Sequence, residues 1–201
     1  MNGCSIRRGL YLGLGSNLGN RHAHLRKAHN LLNMNGLNVI RRSRIYLTEA
    51  VDCSDPRPFL NQVVEVTTWL TPRDVLARTR RIEQESGRRP SRPNAPRTLD
   101  IDLLLDGATV CDTAAGPRLP HPRLHRRRFV LVPLAEIAPH AVHPVLCRTA
   151  KELLEGCRDR AGVSPWRPGE DPGLPRDPGP MYDGHRSRTV VFQPTSRRSS
   201  H

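Results

Sequence analysis

Residues 96–105 read P-R-T-L-D-I-D-L-L-L, an apolar strand-like run interrupted by two carboxylates. Side chains along a strand alternate between faces, so Leu99, Ile101, Leu103 and Leu105 are expected to share one face and Asp100 and Asp102 the other. Such a segment must lie in a sheet that buries one face and leaves the other open to something that tolerates negative charge. At about 3.3 Å rise per residue the two Cβ atoms stand roughly 6–7 Å apart. That spacing suits a shared hard cation such as Mg²⁺, held by carboxylate oxygens and substrate phosphates. Arg97 precedes the pair as a candidate phosphate-binding cation. The plainer alternative is an amphipathic edge strand with a solvated acidic face.

A length of 201 residues with 36% hydrophobic content suits one domain with an appendage. No apolar run reaches the ~18 residues of a membrane span, and no signal-peptide core is present, so a cytosolic location is expected. The five cysteines, Cys4, Cys53, Cys111, Cys147 and Cys157, form no C-x-x-C pair and are expected as free thiols. The formal charge of +13 raises nucleic-acid binding as a function class. Against it, only Lys27 and Lys151 among 32 basic residues are lysine, and aromatics make up only 4%. That is too few for a base-stacking platform. Arginine's planar fork also suits polyphosphate, so the arginines of 88–97 and 123–128 are candidates for a nucleotide triphosphate.

Residues 9–15 predict a strand ending in glycines, followed by a helix from Asn20 to Asn33 with Leu25, Ala28 and Leu32 inward. Residues 38–47 and 60–70 read as strands. Thr71-Pro72 is a helix start, with Val75, Leu76, Thr79 and Ile82 inward and Gly87 as the stop. Asp106-Gly107 predicts a turn returning through Ala108–Cys111. Thr149-Ala150-Lys151-Glu152 is a capping box opening a short helix that Gly156 closes. The order strand-helix-strand-strand-helix-strand predicts an α+β, ferredoxin-like sandwich: a mainly antiparallel four-stranded sheet, helices on one face and a short extra hairpin. Residues 1–157 are expected to form this domain. Residues 158–201, with seven prolines and eight arginines, are expected to be a disordered tail.

Three motifs in order, Gly13-Leu14-Gly15-Ser16-Asn17-Leu18-Gly19, the P-R-T-L-D-I-D-L-L-L run, and Leu119-Pro120-His121-Pro122 with Arg127-Arg128-Phe129, resemble the 6-hydroxymethyl-7,8-dihydropterin pyrophosphokinases of folate biosynthesis. The glycines match neither a Walker nor a dinucleotide loop. The resemblance runs from about residue 9 to residue 146. It implies diphosphate transfer from ATP to the pterin hydroxymethyl group, with Asp100 and Asp102 holding two Mg²⁺ ions. It places Arg97, Arg88, His121, His125 and Arg127 on ATP, with Arg97, Arg88, His121 and Arg127 catalytic. Thr48, Val51, Phe59, Asn61, Phe129 and Asn17 fall on the pterin side, the two phenylalanines stacking on the bicycle and Asn61 reading its edge. Residues 88–95 correspond to a lid. Glu49-Ala50, Asn94 and Pro122 depart from the family pattern. A monomer is expected, with no membrane partner from the lack of a long apolar run and with composition against nucleic acid; the rival readings are a degenerate paralogue without pterin activity and a basic nucleic-acid module.

Overall fold

The computed structural model describes residues 7–51, 55–88, 95–112 and 116–169. β1 (Arg7–Ser16) leads into α1 (Arg21–Met34), whose Asn20 cap accepts the Ala23 N–H at 2.9 Å. Leu25, Ala28 and Leu32 form its buried stripe at helical spacing. The single strand expected over 38–47 is two, β2 (Asn38–Arg42) and β3 (Tyr46–Thr48). Ser43 separates them: its hydroxyl, in place of a backbone carbonyl, accepts the Val63 N–H at 3.1 Å, and its own carbonyl takes the Gln62 amide at 2.6 Å. β4 (Phe59–Thr68) pairs with β3 at its start and with β2 at its end.

α2 (Pro72–Glu85) begins at the Thr71 cap and stops before Gly87, which has a φ of 89°. Val75, Thr79 and Ile82 are buried as expected; Leu76 is only partly buried, and Glu83 is buried instead. β5 (Asp100–Asp106) carries the two aspartates. The turn at Gly107 forms, but the chain does not return along β5: the extra hairpin is β6 (Cys111–Asp112) against β7 (Arg118–Leu119). α3 (Arg128–Ile137) follows, a helix not expected from the sequence, with Pro133 inside it. A small ladder of β8 (Val142–His143) and β9 (Arg148–Thr149) precedes α4 (Ala150–Glu155), which has the predicted capping box. β10 (Val163–Pro165) pairs with β3.

The main sheet runs β10-β3-β4-β1-β5, with β2 also on β4, and every pairing is antiparallel. Reading β2 and β3 as one broken strand gives the ferredoxin-like order. Helices cover both faces, not one: Leu12, Leu14, Ile101 and Leu103 pack with α1 and α2, whereas Val63, Leu104 and Leu105 pack with α3 and α4. Leu105 therefore changes sides relative to simple alternation. The register slips between Tyr11 and Leu12, which pair with Leu105 and Leu103, and Leu104 is the extra residue. Structure continues past residue 157 through β10 to Trp166, which packs against the α1/α2 core; residues 170–201 lie outside the described residues. Cys111, Cys147 and Cys157 are free thiols, and Cys4 and Cys53 lie outside the described residues. Among the described residues no helix is long and apolar enough to cross a membrane.

Candidate active site

On the α3 side of the sheet, alternation brings Phe59 and Asn61 of β4, Gly13 and Gly15 of β1, and Asp100 and Asp102 of β5 to one surface. Gly13 is paired with Asp102 and Gly15 with Asp100, so the strand neighbour of each aspartate has no side chain to cover it. A Cβ at Gly15 would stand 2.8 Å from Asn61 Oδ1. The result is an open cavity of about 120 Å³. Its floor is the sheet, and its lip is formed by Arg123, ahead of the turn Leu124–Arg126, and by Arg127 and Phe129 at the start of α3.

Arg97 Nη1 donates to Asp100 Oδ2 at 2.6 Å, and Arg88 Nη1 to Asp100 Oδ1 at 2.9 Å. Arg88 also pairs with Glu83. Glu83 reaches across from α2 to accept the Ile101 N–H at 2.8 Å, gripping β5 between its two aspartates. Burial, more than Asp100's neighbouring charge, raises the Glu83 carboxyl above its ordinary range, while the Ile101 N–H and Arg88 oppose the rise. Asp102 is also raised, first by the surrounding protein and then by Asp100; Arg127, Arg97 and Arg123 pull the other way. A cation beside Asp102 would offset that rise.

His121 is held to β5 by its N–H, which donates to the Leu104 carbonyl at 2.9 Å. Its Nδ1 accepts the Arg123 N–H at 3.2 Å, so the neutral ring carries its proton on Nε2, which lies 3.9 Å from Asp102 Oδ2. Burial, with Arg127 and Arg123 adding to it, lowers this histidine to about 4. Arg127 Nη1 stands 4.0 Å from the same Asp102 oxygen, and its guanidinium lies 5.3 Å from the Phe129 ring centroid. Asn61 Nδ2 donates to Thr48 Oγ1 at 2.7 Å, which fixes the amide with its oxygen toward Gly15.

Of the residues proposed from sequence, Thr48, Val51, Phe59, Asn61 and Phe129 line the cavity, as do Arg97, Asp100, Asp102 and Arg127. Arg88 and His121 stand behind that wall, touching it through Asp100 and Asp102. Asn17 is not on the wall: its side chain accepts the Arg97 N–H at 2.8 Å and its N–H donates to the Arg97 carbonyl at 3.1 Å, bracing the segment ahead of β5 that presents Arg97. His125 also lies off the wall, accepting from Arg126 Nε at 3.0 Å and edge-on to His143 at 6.0 Å. Most of the lid, residues 89–94, lies outside the described residues. Sequence reasoning passed over Glu83, although it falls four residues after Thr79 on the inward stripe of α2. Arg123, which the sequence marks only as one of the arginines of 123–128, and Glu49, which it marks only as a departure from the family pattern, also lie on the cavity wall.

The donor set suits magnesium. Asp100 and Asp102 offer hard oxygen ligands over a glycine-lined recess. Among the described residues no third His, Cys, Asp or Glu joins them, which leaves positions for phosphate oxygens and water.

A family model described as 7,8-dihydro-6-hydroxymethylpterin-pyrophosphokinase (HPPK) matches residues 11–139. The 2-amino-4-hydroxy-6-hydroxymethyldihydropteridine pyrophosphokinase of Bacillus subtilis is 39% identical over 158 residues, covering 78% of this chain and 89% of its own length. The protein of that name from Methylorubrum extorquens is 44% identical over 134 residues, covering 66% of this chain and 84% of its own. Among solved structures, wild-type Plasmodium falciparum HPPK-DHPS with pteroate superposes with a TM-score of 0.60 at 14% identity. That match covers 76% of this chain and 42% of the longer one, and supports the fold. The chain belongs to the 7,8-dihydro-6-hydroxymethylpterin-pyrophosphokinase family.

Proposed function

We propose that the cavity binds ATP and 6-hydroxymethyl-7,8-dihydropterin side by side and transfers diphosphate between them, as a transferase of folate biosynthesis. The hydroxymethyl oxygen attacks the β-phosphorus, the bond from that phosphorus to the α,β-bridging oxygen breaks, and AMP leaves as the hydroxyl proton is released. Such transfers depend on alignment and charge stabilisation more than on covalent help from the protein. The observation that carries this reading is the sharing of one sheet face by paired aspartates and by Phe59 and Asn61. One half of the floor suits metal-bound phosphates and the other a flat, hydrogen-bonding ring.

Asp100 and Asp102 would hold two Mg²⁺ ions, which when bound would supply positive charge to the phosphates. Arg97 and Arg127 reach phosphate oxygens from opposite sides, Arg88 steadies the lid base, and neutral His121 points its Nε2 proton toward the same space. His125 sits further out, within reach of ATP only at its periphery. Phe59 and Phe129 enclose the pterin face to face, a contact worth about 0.5–1.5 kcal/mol per ring pair beyond area burial. Asn61, steadied by Thr48, presents an acceptor and a remaining donor to the ring edge, and Val51 packs beside it. Asn17 acts through Arg97. The enzyme works as a cytosolic monomer. The test is AMP formation from ATP with and without the pterin, at saturating Mg²⁺. Pterin-dependent AMP release is expected; its absence would leave the degenerate-paralogue reading in place.

A further inference from the structure

Residues 157–166 connect the two walls of the cavity. Cys157 is buried in the α3/α4 core. Asp159 then reaches the start of α3, where its Oδ2 accepts the Arg128 N–H at 2.9 Å while its Oδ1 accepts the Ala161 N–H at 2.9 Å. Arg127, the residue at the N-cap position of α3, makes no side-chain cap of its own. A carboxylate 31 positions along the chain therefore satisfies one of the unpaired N–H donors of the first helical turn, and it complements the positive end of the helix.

The same segment next grips the opposite wall. The Gly162 carbonyl accepts the Glu49 N–H at 3.1 Å, Val163–Pro165 pair with Tyr46–Thr48, and the Trp166 N–H donates to the Ile45 carbonyl at 2.9 Å. A Cβ at Gly162 would meet Glu49 Oε1 at 3.0 Å, so the glycine lets the glutamate side chain lie directly on the strap. Trp166 ends it against His22 of α1, with ring centroids 4.9 Å apart. The segment thus starts in the core on one side of the sheet, rounds the β3 edge and finishes in the core on the other.

We infer that Asp159 is a positioning residue for the diphosphate transfer: through this strap it fixes Arg127 and Phe129 at the start of α3 relative to Thr48 at the end of β3 and Glu49 just after it. The inference rests on the pyrophosphokinase reading of the cavity. Its physical basis is that a first helical turn without a cap frays, and here that turn carries a wall of the pterin slot.

The test uses the full-length chain carrying Asp159→Ala or Asp159→Asn, with steady-state kinetics and hydrogen exchange on the ligand-free protein. For Asp159→Ala, faster exchange is expected in the first turn of α3 and at the Glu49 amide, with α1 and α2 unchanged. The pterin KM should rise about fivefold to tenfold, the size of a lost cap, while kcat moves less. Asp159→Asn retains an oxygen that accepts one N–H and should recover most of the KM. An unchanged pterin KM in Asp159→Ala would overturn the inference, as would exchange that rises equally in every helix. If the wild-type chain formed no AMP from ATP and pterin, the reaction reading would fall separately. Exchange at α3 and Glu49 would still decide whether Asp159 holds the two walls together.

Discussion

Gly15→Ala isolates the pterin half of the cavity, because the new methyl group would stand 2.8 Å from Asn61 Oδ1 and 3.8 Å from the Phe59 ring. The amide oxygen must retreat about 0.6 Å to reach the 3.4 Å of ordinary contact. It is not free to do so, since Asn61 Nδ2 is bonded to Thr48 Oγ1 at 2.7 Å. Either that bond stretches past the usual range of about 3.2 Å, or the amide rotates away from the ring edge it reads. An unmade hydrogen bond to a buried polar group costs about 1–3 kcal/mol, or roughly 5- to 150-fold in pterin affinity. The strand itself should tolerate the change, because alanine relieves about 0.5–1 kcal/mol of glycine's conformational cost. The assay is pterin titration in the presence of a non-hydrolysable ATP analogue, alongside the analogue's own Kd and the Tm. Wild-type pterin affinity in a folded variant would refute the reasoning, as would equal losses for both ligands. In a double-mutant cycle with Asn61→Ala the losses should be strongly non-additive, since both changes remove the same interaction.

Asp100→Ala and Asp102→Ala should each lower turnover at least ~10²–10³-fold at saturating Mg²⁺ while leaving circular dichroism intact; near-normal AMP production by either would overturn the metal assignment. Arg97→Ala should lower kcat more than it weakens ATP binding, because an arginine that leaves Asp100 for phosphate only as charge develops stabilises the transition state preferentially. An ATP Kd raised by the whole factor lost in kcat/KM, with kcat untouched, would make Arg97 a ground-state anchor instead. A chain ending after residue 169 should keep pterin-dependent activity within about twofold. One ending after 157 loses Asp159, β10 and Trp166 and should lose several degrees of Tm with most of its activity. A comparison of Tm and AMP release for the two truncations checks this.

The aspartates were legible in the sequence because strand alternation is a local rule: Leu99, Ile101 and Leu103 do fall on one face and Asp100 and Asp102 on the other. Leu105 was not, because the extra residue at Leu104 belongs to the pairing with β1 rather than to the sequence of β5. Helix ends at Asn20, Thr71 and Thr149 were readable from their capping chemistry. The break at Ser43 was not, because a serine that replaces a backbone acceptor is visible only when its partner Val63 is known. α3 carries Pro133 inside it, and tertiary burial of Val130, Leu131, Leu134 and Ile137 outweighs the missing donor. Residues 158–166 looked too polar to fold because their contacts are backbone bonds to β3 and one carboxylate at a helix end. Neither leaves an apolar signature.

The electrostatics of the ligand-free cavity explain how so many arginines can crowd one recess without driving it open. Asp100 accepts from Arg88 and Arg97 together, so the charges meant for phosphate are neutralised by the carboxylate meant for the cation. Both pairs are partly exposed, and such pairs contribute little net stability, so exchanging them for metal and phosphate costs little. The two arginines are not equivalent in that exchange. Arg88 keeps a second carboxylate in buried Glu83, whose other bond grips the Ile101 N–H of β5, and it therefore remains tied to the sheet whatever Asp100 binds. Arg97 has its backbone fixed by Asn17 and its guanidinium on Asp100, so a cation arriving at Asp100 releases the side chain without moving its anchor. The site thus separates a fixed charge at Arg88 from a transferable one at Arg97, just ahead of β5. A preorganised backbone with a single mobile guanidinium is what a charge developing at the transferred phosphorus requires.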